Sequence, residues 1–345
     1  MTRKIGRREV MARLARLARL AMGTAAVSPV FPLGRALEAL ALPGPKPSPA
    51  SGPSRAVVAL GRREGICPTV GGPLDLRPMR EALGTTVARA AGEATPVAAF
   101  RKLFTPRDVV GIKVNCIAGR GLSSRPEVAL QLAAWLQEAG IRPERIVIWD
   151  RTERELKSAG FVLGSSSGPR VVGTNGDWEE KVREWGPSGS RFARLLVDDV
   201  TAVINLAVLK DHGLAGVSFG MKNWYGVIHN PNKLHAEGCN PFVPHLTATP
   251  LLREKHRLTV IDGTVGQCHG GPGYAPSHAW PYQGYLASTD IVAADAAGWK
   301  VIEARRREIG MTSLAAEGRE PAYIAVAARL GLGVADLAKI EVPSV

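Results

Sequence analysis

The stretch LKDHGLAGVSFGMKNWYGVIHN, Leu209 to Asn230, brings a histidine, a serine between glycines and a lysine into one segment. Three kinds of chemistry could use it. Gly216-Val-Ser218-Phe-Gly220 fits the G-x-S-x-G pattern that lifts a nucleophilic serine onto a sharp strand-to-helix turn. Such a hydrolase needs an acid and then a histidine later in the chain, and Asp262 with His269 or His278 fills that order. Against it, Asp211 to Ala215 separate Gly216 from a strand expected to end near Lys210, so no strand runs directly into the turn. A phosphate loop requires a lysine immediately after its last glycine, followed by Ser or Thr. Met221 interrupts that spacing, and Asn223 stands at the hydroxyl position, so the second reading fails.

The third reading is an anion or cofactor site. A glycine-rich turn at Gly216 and Gly220 that leads into a helix would offer backbone N–H groups and a positive helix end to a carboxylate or phosphate. Lys222 would then be an anchor, an imine-forming nucleophile or an acid–base group. His212 would titrate near neutral pH and serve as acid–base group or metal ligand. Asn223, Trp224 and Tyr225 would wall the pocket.

The elements that must position these residues are read from apolar patterning. AVVAL (56–60), VVGIKVN (109–115), RIVIWD (145–150), AVINLAVL (202–209) and LTVIDG (258–263) are near-continuous apolar runs, as strands covered on both faces require. Helical spacing appears over 125–140, 244–256 and 288–310. The alternation predicts an open, mainly parallel α/β sheet with helices on both faces, placed in a single domain over 51–345 with a site segment at 210–280. Ligands of such sheets collect at the carboxyl ends of the strands. That rule gathers Lys113, Asn115 and Cys116, then Asp150, then Lys210, Asp211 and His212, and finally Asp262. Lys113, Asn115, Gly216, Gly220 and Asn223 are the expected ligand-binding residues, with His212, Lys222 and Asp262 as the acting groups.

All seven histidines fall between His212 and His278. Clustered histidine suggests a transition metal, for which His212, His269 and Cys268 in the loop CHGGPG are the candidate ligands. No H-E-x-x-H pattern pairs two of them on one helix. Asp290 and Asp295 lie about 140° apart around a helix. Asp290 therefore reads as the helix cap, and Asp295 as a buried carboxylate paired with Lys113 or Lys222.

The net charge of +13 over 345 residues is unevenly spread. Residues 1–41 carry eight Lys or Arg against two Glu, and the rest contains no long basic run, which argues against nucleic-acid binding. The four cysteines form no C-x-x-C, so iron–sulfur spacing is absent. No run reaches the roughly 18 apolar residues of a membrane helix. Residues 1–50 begin with a basic region containing Arg7-Arg8, continue through a moderately apolar stretch to Ala39-Leu-Ala41, and end in a Pro/Ser-rich spacer. This resembles a twin-arginine export signal, which implies the twin-arginine translocase as partner and a periplasmic location. Retained, the same segment would be a membrane-surface helix, its Arg13, Arg16 and Arg19 on one face.

VVGIKVNC, PEVALQLAAWLQEAG, VINLAVLKDHGLAGVSFGMKNWYGVI, NPFVPHL, LTVIDG, GGPG and ASTDIVAADAAGW, in that order, resemble the domain-of-unknown-function 362 family. The resemblance implies an α/β fold and brings no settled activity. Some relatives carry ferredoxin-type cysteine motifs, which this chain lacks. His212 to Lys222 is also similar to the H-x-x-A-G-x-S-G-G-x-K segment of the lactate racemase family, with Phe219 in place of a glycine. That likeness implies that Lys222 and His212 face one cofactor site. The expected function is a metal- or cofactor-dependent oxidoreductase or isomerase for a small anionic substrate, with a periplasmic binding or carrier protein as the alternative.

Overall fold

The apolar runs become the strands of one central sheet: β1 (Ala59–Arg62), β2 (Val110–Lys113), β3 (Ile146–Asp150), β4 (Arg170–Gly173), β5 (Ala202–His212), β6 (His256–Gln267) and β7 (Gly284–Ser288). The computed structural model describes residues 54–164 and 168–343. All of these lie in one compact unit, Pro49–Val345. The export signal and spacer read at 1–50 fall outside the described residues.

Sheet order is β1-β7-β6-β5-β2-β3-β4. Strands β6, β5, β2, β3 and β4 run parallel, whereas β7 pairs antiparallel with β6 and β1 antiparallel with β7. The sheet is thus mixed and mostly parallel, as the alternating pattern predicts. Every residue of β2, β3 and β5 is buried, which explains why those runs read as continuous rather than alternating apolar stretches.

Helices cover both faces. On one side α1 (Leu76–Ala90), α2 (Pro96–Leu103) and α3 (Pro126–Glu138) pack onto Ile112, Ile204, Leu206, Val208 and Val260. On the other side α8 (Ile291–Glu308) and α9 (Ala322–Arg329) pack onto Val203, Ala207, Leu209 and Ile261. Successive strand residues point to opposite faces, so Val260 and Ile261 enter different cores. Between these helices the chain forms α4 (Glu153–Ala159), α5 (Gly220–Asn223), α6 (Phe242–Thr247) and α7 (Pro250–Lys255). No described helix is long and apolar enough to cross a membrane.

Three local expectations are corrected. The helix read over 244–256 is two helices, because Pro250 has no N–H to donate and starts a new one. The run AVVAL is divided: Ala56–Val57 pairs with Ile340–Glu341 outside the central sheet, and only Ala59 onward joins it. Strand β5 does not stop near Lys210. It continues through His212 because the chain folds back at once, and Gly216–Val217 pairs antiparallel with Asp211 and His212.

Candidate functional site

A pocket of about 170 Å³ opens where β2, β3 and β5 end, lined by Lys113, Asn115, Asp150, His212, Lys222 and His235 among others. That volume holds on the order of ten waters, so it suits a small metabolite. The positively charged floor is ordered by a chain of amides. Lys113 Nζ donates to Asp150 Oδ1 at 2.7 Å, to the Val114 carbonyl at 2.7 Å and to Asn223 Oδ1 at 3.3 Å. Asn223 Nδ2 donates to Asn205 Oδ1, and Asn115 Nδ2 donates to Asn223 Oδ1. Lys210 Nζ, fully buried, donates to Asn115 Oδ1 at 2.8 Å. Gly226 has no side chain because a Cβ there would sit 2.6 Å from Lys113 Nζ.

Lys222 differs from Lys113 and Arg151, which line the pocket with it. Lys113 is paired with Asp150, and Arg151 with Glu155 one helical turn along. Lys222 has no carboxylate within ion-pair distance among the described residues. Its Nζ lies 3.0 Å from His235 Nε2 and 3.7 Å from the centre of the Tyr225 ring. Burial pushes its pKa down to about 8, and burial does the same to Lys210.

Both pocket histidines have assignable tautomers. His235 Nδ1 faces the carbonyls of Pro231 and Asn232, each at 3.2 Å, so it carries the proton and Nε2 accepts from Lys222. His212 Nδ1 accepts the backbone N–H groups of Leu214 and Ala215 at 3.1 and 3.2 Å, which leaves the proton on Nε2. Burial, then the neighbouring Lys222, drives the His212 pKa down to about 2. The expectation that His212 titrates near neutral pH is therefore corrected: it is a neutral hydrogen-bond donor, stacked on His235 with ring centres 5.4 Å apart.

The glycine-rich turn is also used differently from the expectation. Gly220 and Met221 do not offer their N–H groups to a ligand, because Asp295 on α8 accepts both at 2.8 and 3.1 Å. Asp295 is paired with neither Lys113 nor Lys222; burial raises its pKa to about 8. Gly216 faces away from ligand chemistry: with φ at +76° it lies against the Arg319 carbonyl, 2.2 Å from where a Cβ would be. Asp290 caps α8 as expected, accepting from Val292 and Ala293.

The structure does not bring Asp262, His269 or Cys268 to this pocket. Asp262 follows Ile261 by one residue and so faces the α1–α3 side, where it accepts the N–H groups of Arg125 and Thr264. Cys268 is buried with its Sγ toward the His278 carbonyl, and His269 packs against His278 and Arg319. The metal set of His212, His269 and Cys268 is not assembled, and no group of three metal-ligating side chains occurs among the described residues. Ser218 lines the pocket, but neither Asp262, His269 nor His278 serves it. Strand, hairpin and then turn precede Ser218, so the nucleophile elbow is absent.

Sequence reasoning missed His235 and the Arg151–Glu155 pair. His235 sits in a loop with no periodicity to mark its direction. Arg151 and Glu155 carried an i, i+4 signal that reads equally well as an exposed helix pair.

An open α/β sheet with a lysine-bearing pocket at its strand carboxyl ends defines the class of this protein. The chain belongs to the family described as Domain of unknown function (DUF362), whose model matches residues 110–300. No curated protein and no solved structure matches it. The matched span runs from the start of β2 into α8 and contains every pocket residue named above.

Proposed function

We propose that this chain is an enzyme that binds a small anionic substrate in the pocket and moves a proton on it. The observation that carries this reading is Lys222, a buried pocket cation without a carboxylate partner among the described residues, beside paired Lys113 and Arg151. An unpaired ammonium in a cavity costs desolvation that an anionic ligand offsets. With a pKa near 8, Lys222 exchanges protons close to neutral pH, while His212 Nε2–H donates to a substrate oxygen. Isomerase chemistry fits these groups, and the lactate racemase-like spacing of His212 and Lys222 supports the same direction. Arg7-Arg8 and the segment after it support export by the twin-arginine translocase to the periplasm.

The test is calorimetric titration of the full-length protein and of Lys222→Met with pyruvate, lactate and inorganic phosphate, followed by proton exchange into the bound ligand from D2O. Binding that falls at least about tenfold in the variant, a loss of about 1.4 kcal/mol, supports the site. Equal binding in both proteins removes it. Binding without exchange leaves the carrier reading in place of the enzyme.

A further inference from the structure

The second question about Lys222 is what its amine does once the anion is held, and this inference rests on the reading just given. Lys222 is 6% exposed and lines the cavity, and its partners are His235 with its acceptor nitrogen, the Tyr225 ring and the Cys239 thiol, whose pKa burial raises, with the Nε2–H of His212 beyond. Of the lysines that line the pocket, Lys113 has a counter-charge in Asp150. Lys222 instead meets an uncharged acceptor, His235 Nε2, which can take a hydrogen bond from the neutral amine as well as from the ammonium.

We infer that Lys222 forms an imine with the carbonyl carbon of a small 2-oxo acid. The neutral amine attacks that carbon, the carbonyl electron pair moves to oxygen, and a proton passes from nitrogen to oxygen to give the carbinolamine. A second proton, taken up from solvent, turns that hydroxyl into water, which leaves as the nitrogen lone pair forms the C=N bond, so one proton is consumed per protonated imine. No oxidant or reductant is consumed. His212 Nε2–H lies on the cavity side to hydrogen-bond the developing oxygen. The protonated imine keeps the positive charge on the Lys222 nitrogen, one carbon away from the substrate carboxylate, so the preference for an anion survives attachment. The imine also withdraws electrons from its neighbouring carbon, the step that makes a C–H bond acidic.

At pH 8 an amine whose pKa is about 8 presents on the order of a hundred times more free base than an ordinary lysine. Full-length protein is incubated with pyruvate and sodium borohydride, which reduces the imine to a stable secondary amine, and is then mapped by peptide mass spectrometry. The expected result is one reduced pyruvate per chain at Lys222, with little at other lysines. Acetaldehyde at the same concentration gives much less, and Lys222→Arg, which keeps the charge but forms no imine, gives none. Absence of an adduct at Lys222, or an adduct spread evenly over surface lysines, overturns the inference. An adduct with acetaldehyde equal to that with pyruvate overturns the oxo-acid assignment. Lactate, which has no carbonyl, separates the two proposals. If lactate binds wild type and Lys222→Met weakens it, yet pyruvate leaves no adduct, only the imine falls. If lactate and pyruvate both bind wild type and variant alike, the anion site falls with it.

Discussion

The carboxylate of Asp295 accepts the backbone N–H of Gly220 at 2.8 Å, tying the turn that carries Lys222 to helix α8. Gly220 is itself too tightly packed for a side chain: a Cβ would lie 2.9 Å from Thr259 and 3.1 Å from this same carboxylate. The position of Lys222 therefore depends on a residue that never reaches the pocket. Asp295→Asn keeps one acceptor for Gly220 but turns an amide N–H toward the Met221 N–H, stranding a buried donor. The expected loss is about 1–3 kcal/mol of unfolding free energy, measured by denaturant titration. Burial raises the Asp295 pKa from 3.8 to about 8, so its folding contribution is full below pH 3.8 and is lost as pH rises through 8. Asparagine does not titrate. The disadvantage of the variant should therefore shrink between pH 4 and pH 8, and a constant difference would contradict the assignment.

Lys222 and Lys210 are both lowered from 10.5 to about 8 by burial. In the window between these values the unfolded chain binds more protons than the folded one, so these groups make folding more favourable as pH rises from 8 to 10.5. The rate of borohydride-trapped labelling at Lys222 should rise with a midpoint near 8. A midpoint near that of a free lysine would refute a desolvated amine.

His212 should remain neutral, with its proton on Nε2, down to strongly acidic pH, because its pKa lies at about 2. Nitrogen-15 shifts of the labelled imidazole across neutral pH read this directly. His212→Ala removes the acceptor for the Leu214 and Ala215 N–H groups and should cost about 1–3 kcal/mol, as well as the donor to substrate.

Lys113 and Asp150 are a buried pair, with side chains 1% and 6% exposed. Lys113→Ala strands the Asp150 carboxylate and frees Asn223 from one of its partners. The expected cost is about 3–5 kcal/mol, seen as a lower denaturant midpoint. Under 1 kcal/mol would mean that the pair is hydrated in solution.

Much of this was legible before any coordinates. Continuous apolar runs predicted strands covered on both sides, and β2, β3, β5 and β6 lie where those runs lie. Asp290 was read as a cap from its place before an apolar helix. The rule that α/β sheets bind ligands at strand carboxyl ends gathers Lys113, Asn115, Asp150 and His212, the glycine-rich turn adds Lys222 and Asn223, and all six line one pocket.

Direction and partnership were decided only by tertiary structure. The run LTVIDG puts Asp262 at a strand end, but β6 continues to Gln267, and a strand alternates sides at every residue without the sequence saying which side faces the pocket. Asp295 was read correctly as buried, yet its partners, Gly220 and Met221, lie more than 70 positions earlier and are backbone groups that no residue type announces. His212 has the residue type of a neutral-pH switch, and it is fixed as a neutral donor by a hairpin that brings two N–H groups onto Nδ1. The sequence determined which chemical groups end the strands; packing and hydrogen bonding decided which of them stay charged, which are spent on structure, and that Lys222 is left facing the pocket.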